Sequence, residues 1–311
     1  KISSVDFALF ATTLSGGLLV ILAIRTLINI FFKNEKIIFL SMLLFFFNGG
    51  IGFIYFFKDL FGSNLPFFSF LMHIPREYTD LKDLGYWWIN SYLAYFLPQR
   101  SFLFAFPITL TVLALLYLGA TKNKRLYFTV AGFLAGVLPL VQVHSLLVIF
   151  ILCAFYSIWN IIATKYNKNT ILNWGIFALV VAVVSFPLFT AISQHSNVLS
   201  FIRYAPGWTA KENIILFWWK NLGLFAPILA ISKFWVFKNN RYLFNLYLPF
   251  LFIFTISNIF VFQPWEFDNS KLLIYWYFAS CVLVSYFLID QFFSNSRAMK
   301  LIGTVFVFVM I

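Results

Sequence analysis

The sequence predicts an all-α protein, a polytopic bundle of about nine to ten transmembrane helices, and three observations carry that prediction. Of the 311 residues, 62% are hydrophobic and only 10% charged, whereas soluble domains are roughly 45–50% apolar and about a quarter charged. Apolar runs long enough to cross roughly 30 Å of hydrocarbon, about 20 residues each, recur along the whole chain. The loops between them alternate in basic content. The net charge of +12 is therefore not the footprint of a nucleic-acid partner, which requires Lys and Arg gathered on one face of a soluble domain.

In chain order the expected crossings lie near 7–32, 37–57, 101–120, 126–141, 144–162, 170–192, 214–236, 242–262 and 272–292, with a tenth from 301 onward. Lipid cannot satisfy exposed backbone groups, so each is expected to be helical. The uncharged stretch from Leu126 to Thr164, 39 residues, is too long for one crossing and divides near Pro139, because proline breaks the helical hydrogen-bond ladder. Lys220 and Lys233 stand near the ends of the 214–236 segment and are expected to snorkel to the interfaces. Leu84 to Leu97 is apolar but only about 21 Å long as a helix; it reads as an aromatic-rich helix lying in the interface within a long outer loop. The whole of 1–311 reads as one transmembrane domain. It starts at Lys1 and stops inside an apolar run, so it is read as a fragment lacking its N-terminus.

Sidedness follows from the bases. Loops 33–36, 121–125, 163–169, 238–241 and 294–300, together with Arg25 and Lys233, hold thirteen bases against Glu35 and Asp290, net +11. The other side, with loops 58–100, 193–213 and 263–271, holds nine bases and eight acids, net +1. The positive-inside rule makes the first side cytoplasmic in an integral membrane protein. Cys153 and Cys281 each sit in an apolar stretch and read as packing residues, with no disulfide framework available. Walker, dinucleotide-glycine, His-Glu-x-x-His and nucleophile-elbow patterns are absent, which disfavours a nucleotide-driven pump or soluble-cofactor enzyme.

The nearly neutral side holds seven of the ten tryptophans; they form either an interfacial belt or stacking faces for sugars. Three clusters there combine acids, bases and amides. The first runs from His73 to Asp80 with Asp83, and resumes at Leu97-Pro98-Gln99-Arg100-Ser101. Arg100, at the mouth of a span, either grips a phosphate through its planar fork or snorkels. Glu77 and Asp80 are candidate carboxylates or solvated loop acids; Asp83 reads as solvated. The second cluster has Gly132 and Gly136 for close helix approach, then Gln142, His144 and Ser145. His144 either binds or exchanges a proton or meets interfacial water in a hairpin turn; His195, in a Ser/Gln/Asn loop, has the weaker case. The third is Gln263-Pro264-Trp265-Glu266-Phe267-Asp268-Asn269-Ser270-Lys271. Asp268 and Lys271 form a plain loop salt bridge, or they line a pocket in which Lys271 neutralises an anionic lipid head and Asp268 or Glu266 serves as base or as ligand to a divalent metal. No other cofactor is specified. Asn48-Gly49-Gly50-Ile51-Gly52 reads as close packing, with Asn48 needing a polar partner.

Phe47 to Phe53, Leu97 to Ser101, Leu138 to Ser145 and Gln263 to Lys271 together resemble the central and C-terminal spans of bacterial polytopic glycosyltransferases of the C superfold, the class that includes protein O-mannosyltransferases. The resemblance covers roughly residues 40 to 290. It implies inverting transfer of a sugar from a polyprenyl-phosphate donor to an acceptor on the extracytoplasmic side. A carboxylate activates the acceptor hydroxyl and cations stabilise the departing lipid phosphate. Arg100, Lys271 and His144 fit the phosphate side; Gln99, Gln142, Trp265 and Glu266 fit an acceptor and sugar pocket. Members of the class carry the catalytic Asp in the first outer loop, and here only Asp6 precedes residue 58 in a comparable place. The base is thus unassigned, with Glu77, Asp80 and Asp268 as fallback candidates. Two readings of other classes stand beside this one: a secondary transporter or flippase of lipid-linked sugars, and a non-catalytic membrane scaffold subunit.

Overall fold

The structure, a computed structural model, describes residues 4–193 and 202–311. Its helices are α1 (Ser4–Phe32), α2 (Glu35–Phe47), α3 (Phe53–Gly62), α4 (Phe67–Met72), α5 (Arg100–Lys122), α6 (Arg125–Gly136), α7 (Leu138–Val141), α8 (Val143–Ala163) and α9 (Lys168–Ser193). A short strand β1 (Arg203–Tyr204) follows, then α10 (Ile214–Leu222), α11 (Phe225–Asn239), α12 (Arg241–Ser257), strand β2 (Phe260–Val261), α13 (Ser270–Leu288) and α14 (Arg297–Met310). β1 and β2 pair antiparallel, Arg203 opposite Val261 and Tyr204 opposite Phe260.

Among the described residues, five helices are long and apolar enough to cross a membrane: α1, α5, α8, α9 and the helix containing α13. A sixth is obtained if α10 and α11, bent by 103° at their junction, count as one span. The other segments expected to cross are shorter or interrupted: Arg125–Val141 and Arg241–Ser257 are short apolar helices, and 37–57 is divided between α2 and α3.

α13 is the centre of the bundle. It is buried around nearly its whole circumference, as expected for a helix apolar on every face, and it packs against α2, α8, α11 and α12. α1 lies on α5 with most of its surface exposed. The division near Pro139 is present: α6 ends at Gly136, Pro139 sits in the first turn of α7, and Gln142 is extended before α8 begins. Gly132 and Gly136 do bring helices together. A Cβ on Gly132 would stand 2.9 Å from the Phe177 carbonyl oxygen, and one on Gly136 would stand 2.6 Å from Val184 Cβ, both on α9.

The C-terminal turns of α1, α5 and α8 and the first turns of α9 and α12 wall one cavity. The turns bearing Lys33 and Lys36, Lys122 to Arg125, Lys165 and Lys168, and Lys238 and Arg241 therefore gather at one end of the bundle, hereafter the basic end.

Two expectations are corrected. The 37–57 segment is not one helix, because it opens at Asn48–Gly52, where Gly50 takes φ +65°. The 214–236 segment opens at Gly223, φ +56°. These breaks meet: the Ile51 amide donates to the Lys220 carbonyl at 3.0 Å, and a Cβ on Gly50 would stand 2.5 Å from the Asn221 carbonyl oxygen. Glycine is required there both for its positive φ and for that approach. Lys220 pairs with Glu212 at 2.6 Å in place of snorkelling alone.

The expected interfacial helix over Leu84–Leu97 is also absent. The chain makes a 3₁₀ turn at Lys82–Leu84, runs irregularly, and forms one π-helical turn at Tyr92–Phe96. Tyr86, Trp88, Tyr95 and Phe96 are buried in the core. The physical reason is side-chain competition for the backbone. Asn221 Oδ1 accepts from the Trp87 and Trp88 amides at 2.7 and 2.8 Å, and Asn221 Nδ2 donates to the Gly85 carbonyl at 2.9 Å. Asn90 accepts from the Tyr92 amide and donates to the Phe46 carbonyl. An amide side chain from a distant helix thus replaces local helical bonds.

Candidate functional site

The site lies at the end of the bundle opposite the basic loops, where α8 and α13 begin. A 3₁₀ turn, Glu266–Asn269, feeds directly into α13. It is tied down by Asn269, which accepts from the Phe262 amide and donates to the Ser257 and Phe260 carbonyls. The turn sets Asp268 and Lys271 three residues apart on one side, and their ion pair closes at 2.9 Å with both side chains mostly buried. An acid in the first turn also complements the helix dipole.

His144, in the first turn of α8, feels the charges of both Lys271 and Asp268. Its Nε2 is buried and makes no hydrogen bond among the described residues. Ser145 shares a hydrogen bond with the Tyr275 hydroxyl at 2.7 Å and donates to Gln142 Oε1 at 3.3 Å; Tyr275 in turn meets Thr109 at 3.3 Å. These contacts lock α8, α13 and α5 together beneath the ion pair. Tyr95, from the π-helical turn, bonds Ser270 and senses Asp268; burial pushes its phenol up, so it stays neutral.

The segment between α4 and α5 approaches the same turn. Lys82 Nζ lies 3.5 Å from Asp80 Oδ1 and within 5.7 Å of the ring centroids of Trp87 and Phe267, in range for cation–π attraction. Phe267 precedes Asp268 in the chain, so the Lys82 ammonium, with Asp80, reaches the turn that carries the Asp268–Lys271 pair. Asp80 Oδ1 is buried and lacks a hydrogen bond among the described residues, an arrangement in which Lys82 supplies charge without a well-aligned bond.

Of the residues singled out in the sequence, Asp80, Gln142, His144, Asp268 and Lys271 therefore converge. Glu266 instead pairs with Arg203 at 2.7 Å across the β1–β2 corner, both side chains half exposed. Trp265 is 76% exposed. Gln99 caps α5 and donates to the Ala94 carbonyl at 3.3 Å. Arg100 opens α5 two residues before Phe102, whose ring packs on Tyr95 and Tyr275, and Arg100 itself is exposed. Glu77 is exposed and is not drawn into the cluster. His195 lies outside the described residues. Asn48 finds its partner in the Met310 carbonyl, 2.9 Å away.

Sequence reasoning missed Lys82, Tyr95 and Tyr275, and a second constellation in the same loop. Arg76 binds Asp59 through two parallel bonds, Nε to Oδ2 at 2.7 Å and Nη2 to Oδ1 at 2.6 Å, and the Tyr78 hydroxyl donates to the same carboxylate. The Arg76 bonds hold the Asp59 carboxyl below the usual carboxylate range. This fork pins α3 to the 73–80 segment.

Among the described residues, no three of His, Cys, Asp and Glu come together as a metal-binding group. Comparison with protein-family models, with curated proteins and with solved structures returns no match.

Proposed function

We propose that the chain is the membrane part of a glycosyltransferase that moves a sugar from a polyprenyl-phosphate donor to an acceptor at the outer face of a bacterial plasma membrane, with inversion. The observation that carries this reading is the Asp268–Lys271 pair at 2.9 Å, with His144 in its field and Lys82 over the adjoining Phe267 ring. Two carboxylates, Asp268 and Asp80, each stand beside an ammonium group, Lys271 and Lys82, with an imidazole near the first pair.

In the transfer, the acceptor oxygen attacks the anomeric carbon while the bond from that carbon to the phosphate oxygen breaks. The bonding pair leaves with the lipid phosphate, and the acceptor's proton passes to a carboxylate. Asp268 takes that proton. Lys271, Lys82 and exposed Arg100 gather the donor phosphate. A phosphate that draws Lys271 toward itself frees the Asp268 carboxylate at the moment the donor is in place. His144 meets the departing phosphate through its unpartnered Nε2, and exposed Trp265 offers a ring to the sugar or acceptor. The basic end faces the cytoplasm under the positive-inside rule. The nine to ten crossings belong to this reading, with α6–α7 and α12 crossing as short helices beside α9 and α13.

The test is transfer of labelled sugar from a polyprenyl-phosphate donor in membranes containing the full-length protein. Asp268→Asn and Lys271→Ala are expected to lower the rate about 10²-fold or more, and Arg100→Ala less. Unchanged rates in all three would sink the assignment.

One observation favours a second reading, a transporter or flippase of lipid-linked sugar. Transporters build their sites from broken helices in the membrane, and here the breaks at Asn48–Gly52 and Gly223 face each other. Their freed backbone groups are, however, satisfied across the joint. Donor exchange across vesicles without sugar transfer would select this reading.

A further inference from the structure

The described residues also line a half-open cavity of about 240 Å³ at the basic end, at the other end of the bundle from Asp268. It is walled by the last turns of α1, α5 and α8, the first turns of α9 and α12, and the middle of α13. Polar side chains are present in this wall, yet their polar edges are turned away into the protein. The Tyr156 hydroxyl donates to the Leu246 carbonyl at 2.7 Å. Tyr247 shares a bond with Ser280 and accepts one from Trp276. Trp174 donates to Asn160 at 3.0 Å, and Tyr242 bonds Tyr117. What remains for an occupant is ring faces and aliphatic carbon. A water needs two to four polar partners, and apolar cavities of this kind stay dry or take up apolar molecules.

Next to it is a second hollow of opposite character, about 250 Å³, lined by Asn123, Arg125, Asn169 and Asn173. Asn173 bonds Asn123 at 3.1 Å. Its chain neighbour Trp174, and Ala120 three residues before Asn123, wall the apolar cavity, so the two hollows share the first turns of α9 and the last turn of α5. The surrounding turns supply Lys122, Lys124, Lys165 and Lys168.

We infer that this pair of hollows is a site for an anionic phospholipid of the bilayer, with one hydrocarbon chain in the apolar cavity and the phosphate at Arg125 and its asparagines. The site is separate from the transfer chemistry and rests only on the chain lying in a membrane. A predominantly apolar cavity whose wall hydroxyls and indole are already bonded to the protein matches a hydrocarbon chain; a basic, amide-lined hollow beside it matches a phosphate and glycerol.

The experiment reconstitutes the purified full chain in vesicles containing phosphatidylglycerol with a mid-chain diazirine, irradiates, and maps adducts by peptide mass spectrometry. Adducts are expected on Tyr156–Ala163 and Leu243–Phe250. Ala279→Phe, which places a ring in the cavity, should lower those adducts about tenfold, while adducts at the lipid-facing Phe308, 82% exposed, stay at the wild-type level. Arg125→Gln should lower them about fivefold, the weight of one base near an anionic headgroup, and a phosphatidylcholine probe should label as weakly. If Ala279→Phe does not fold, Ala120→Phe, at the mouth, replaces it. Cavity adducts unchanged by filling, or equal with the neutral probe, would overturn the proposal.

Discussion

The two ends of this bundle use aromatic side chains in opposite ways. Where α8 and α13 begin, the hydroxyls of Tyr95 and Tyr275 point toward Ser270, Ser145 and Thr109, and the charges of Asp268 and Lys271 are held in reach of each other and of the buried His144 imidazole. At the basic end, Tyr156, Tyr247 and Trp174 give their polar edges to the protein and leave bare ring faces around a cavity. The same residue types thus build a polar, charge-organised site at one end and a predominantly apolar cavity at the other. What decides is where each hydrogen bond is made: buried polar edges must be satisfied, and a satisfied edge has nothing left to offer a ligand. Function at the first end should depend on charge, and at the second on volume.

The sharpest way to break the comparison is to exchange the perturbations. Asp268→Asn removes the charge with almost no change of shape and should lower sugar transfer about 10²–10⁴-fold, the range for loss of a positioned acid or base. Ala279→Phe changes volume without charge and should leave transfer close to wild type while displacing the lipid label. If Ala279→Phe abolishes transfer in a protein that unfolds at the normal temperature, the two ends are one coupled site and the contrast fails.

Between the two ends lies the joint of broken helices, and it should be the most sensitive part of the fold. Asn221 accepts from two amides and donates to two carbonyls. Asn221→Ala leaves the Trp87 and Trp88 amides without an acceptor, and at about 1–3 kcal/mol for each unsatisfied buried group it should cost about 3 kcal/mol, read as a lower unfolding midpoint in detergent. Gly50→Ala attacks the joint from the other side. A Cβ there meets the Asn221 carbonyl oxygen at 2.5 Å with φ at +65°, so a loss of about 2 kcal/mol is expected from strain alone. A loss below half of that in both variants would mean that the breaks are not held by these contacts.

These variants also mark where the sequence was readable. α1, α5, α8, α9 and α13 were legible because hydropathy over about 20 residues is a local property, and so was the division at Pro139, which rests on a single residue's missing amide. The breaks at Gly50 and Gly223 were not. Hydropathy scores side chains, and Asn48 to Gly52 opens for a backbone reason, the approach of a helix some 170 residues away in sequence. Leu84–Leu97 failed for the same cause, since its amides are taken by Asn221. At the site, His144, Asp268 and Lys271 stood out as polar groups at span ends, while Tyr95 was hidden inside an apolar run. Lys82 looked like an ordinary loop base until Phe267 was placed beneath it.

The smallest expected effect concerns the fork between Arg76 and Asp59, which ties α3 to the 73–80 segment outside the convergent cluster. Arg76 holds the Asp59 carboxyl below its ordinary range against the opposing effect of burial, with a smaller contribution from Tyr78. A carboxyl whose folded value is depressed stabilises the fold above its unfolded value, and that contribution is lost as the pH falls through the folded one. The difference in unfolding midpoint between the wild type and Asp59→Asn should therefore be fully present at neutral pH and close as the solution is acidified below the usual carboxylate range. Both partners reach solvent, so the difference should be small and should shrink in high salt. Sugar transfer at neutral pH should be nearly unchanged, because neither residue touches Asp268 or Lys271. A large fall in transfer in Asp59→Asn would instead mean that the position of α3 governs the site, and would enlarge the charge-organised end to include the whole 58–80 segment.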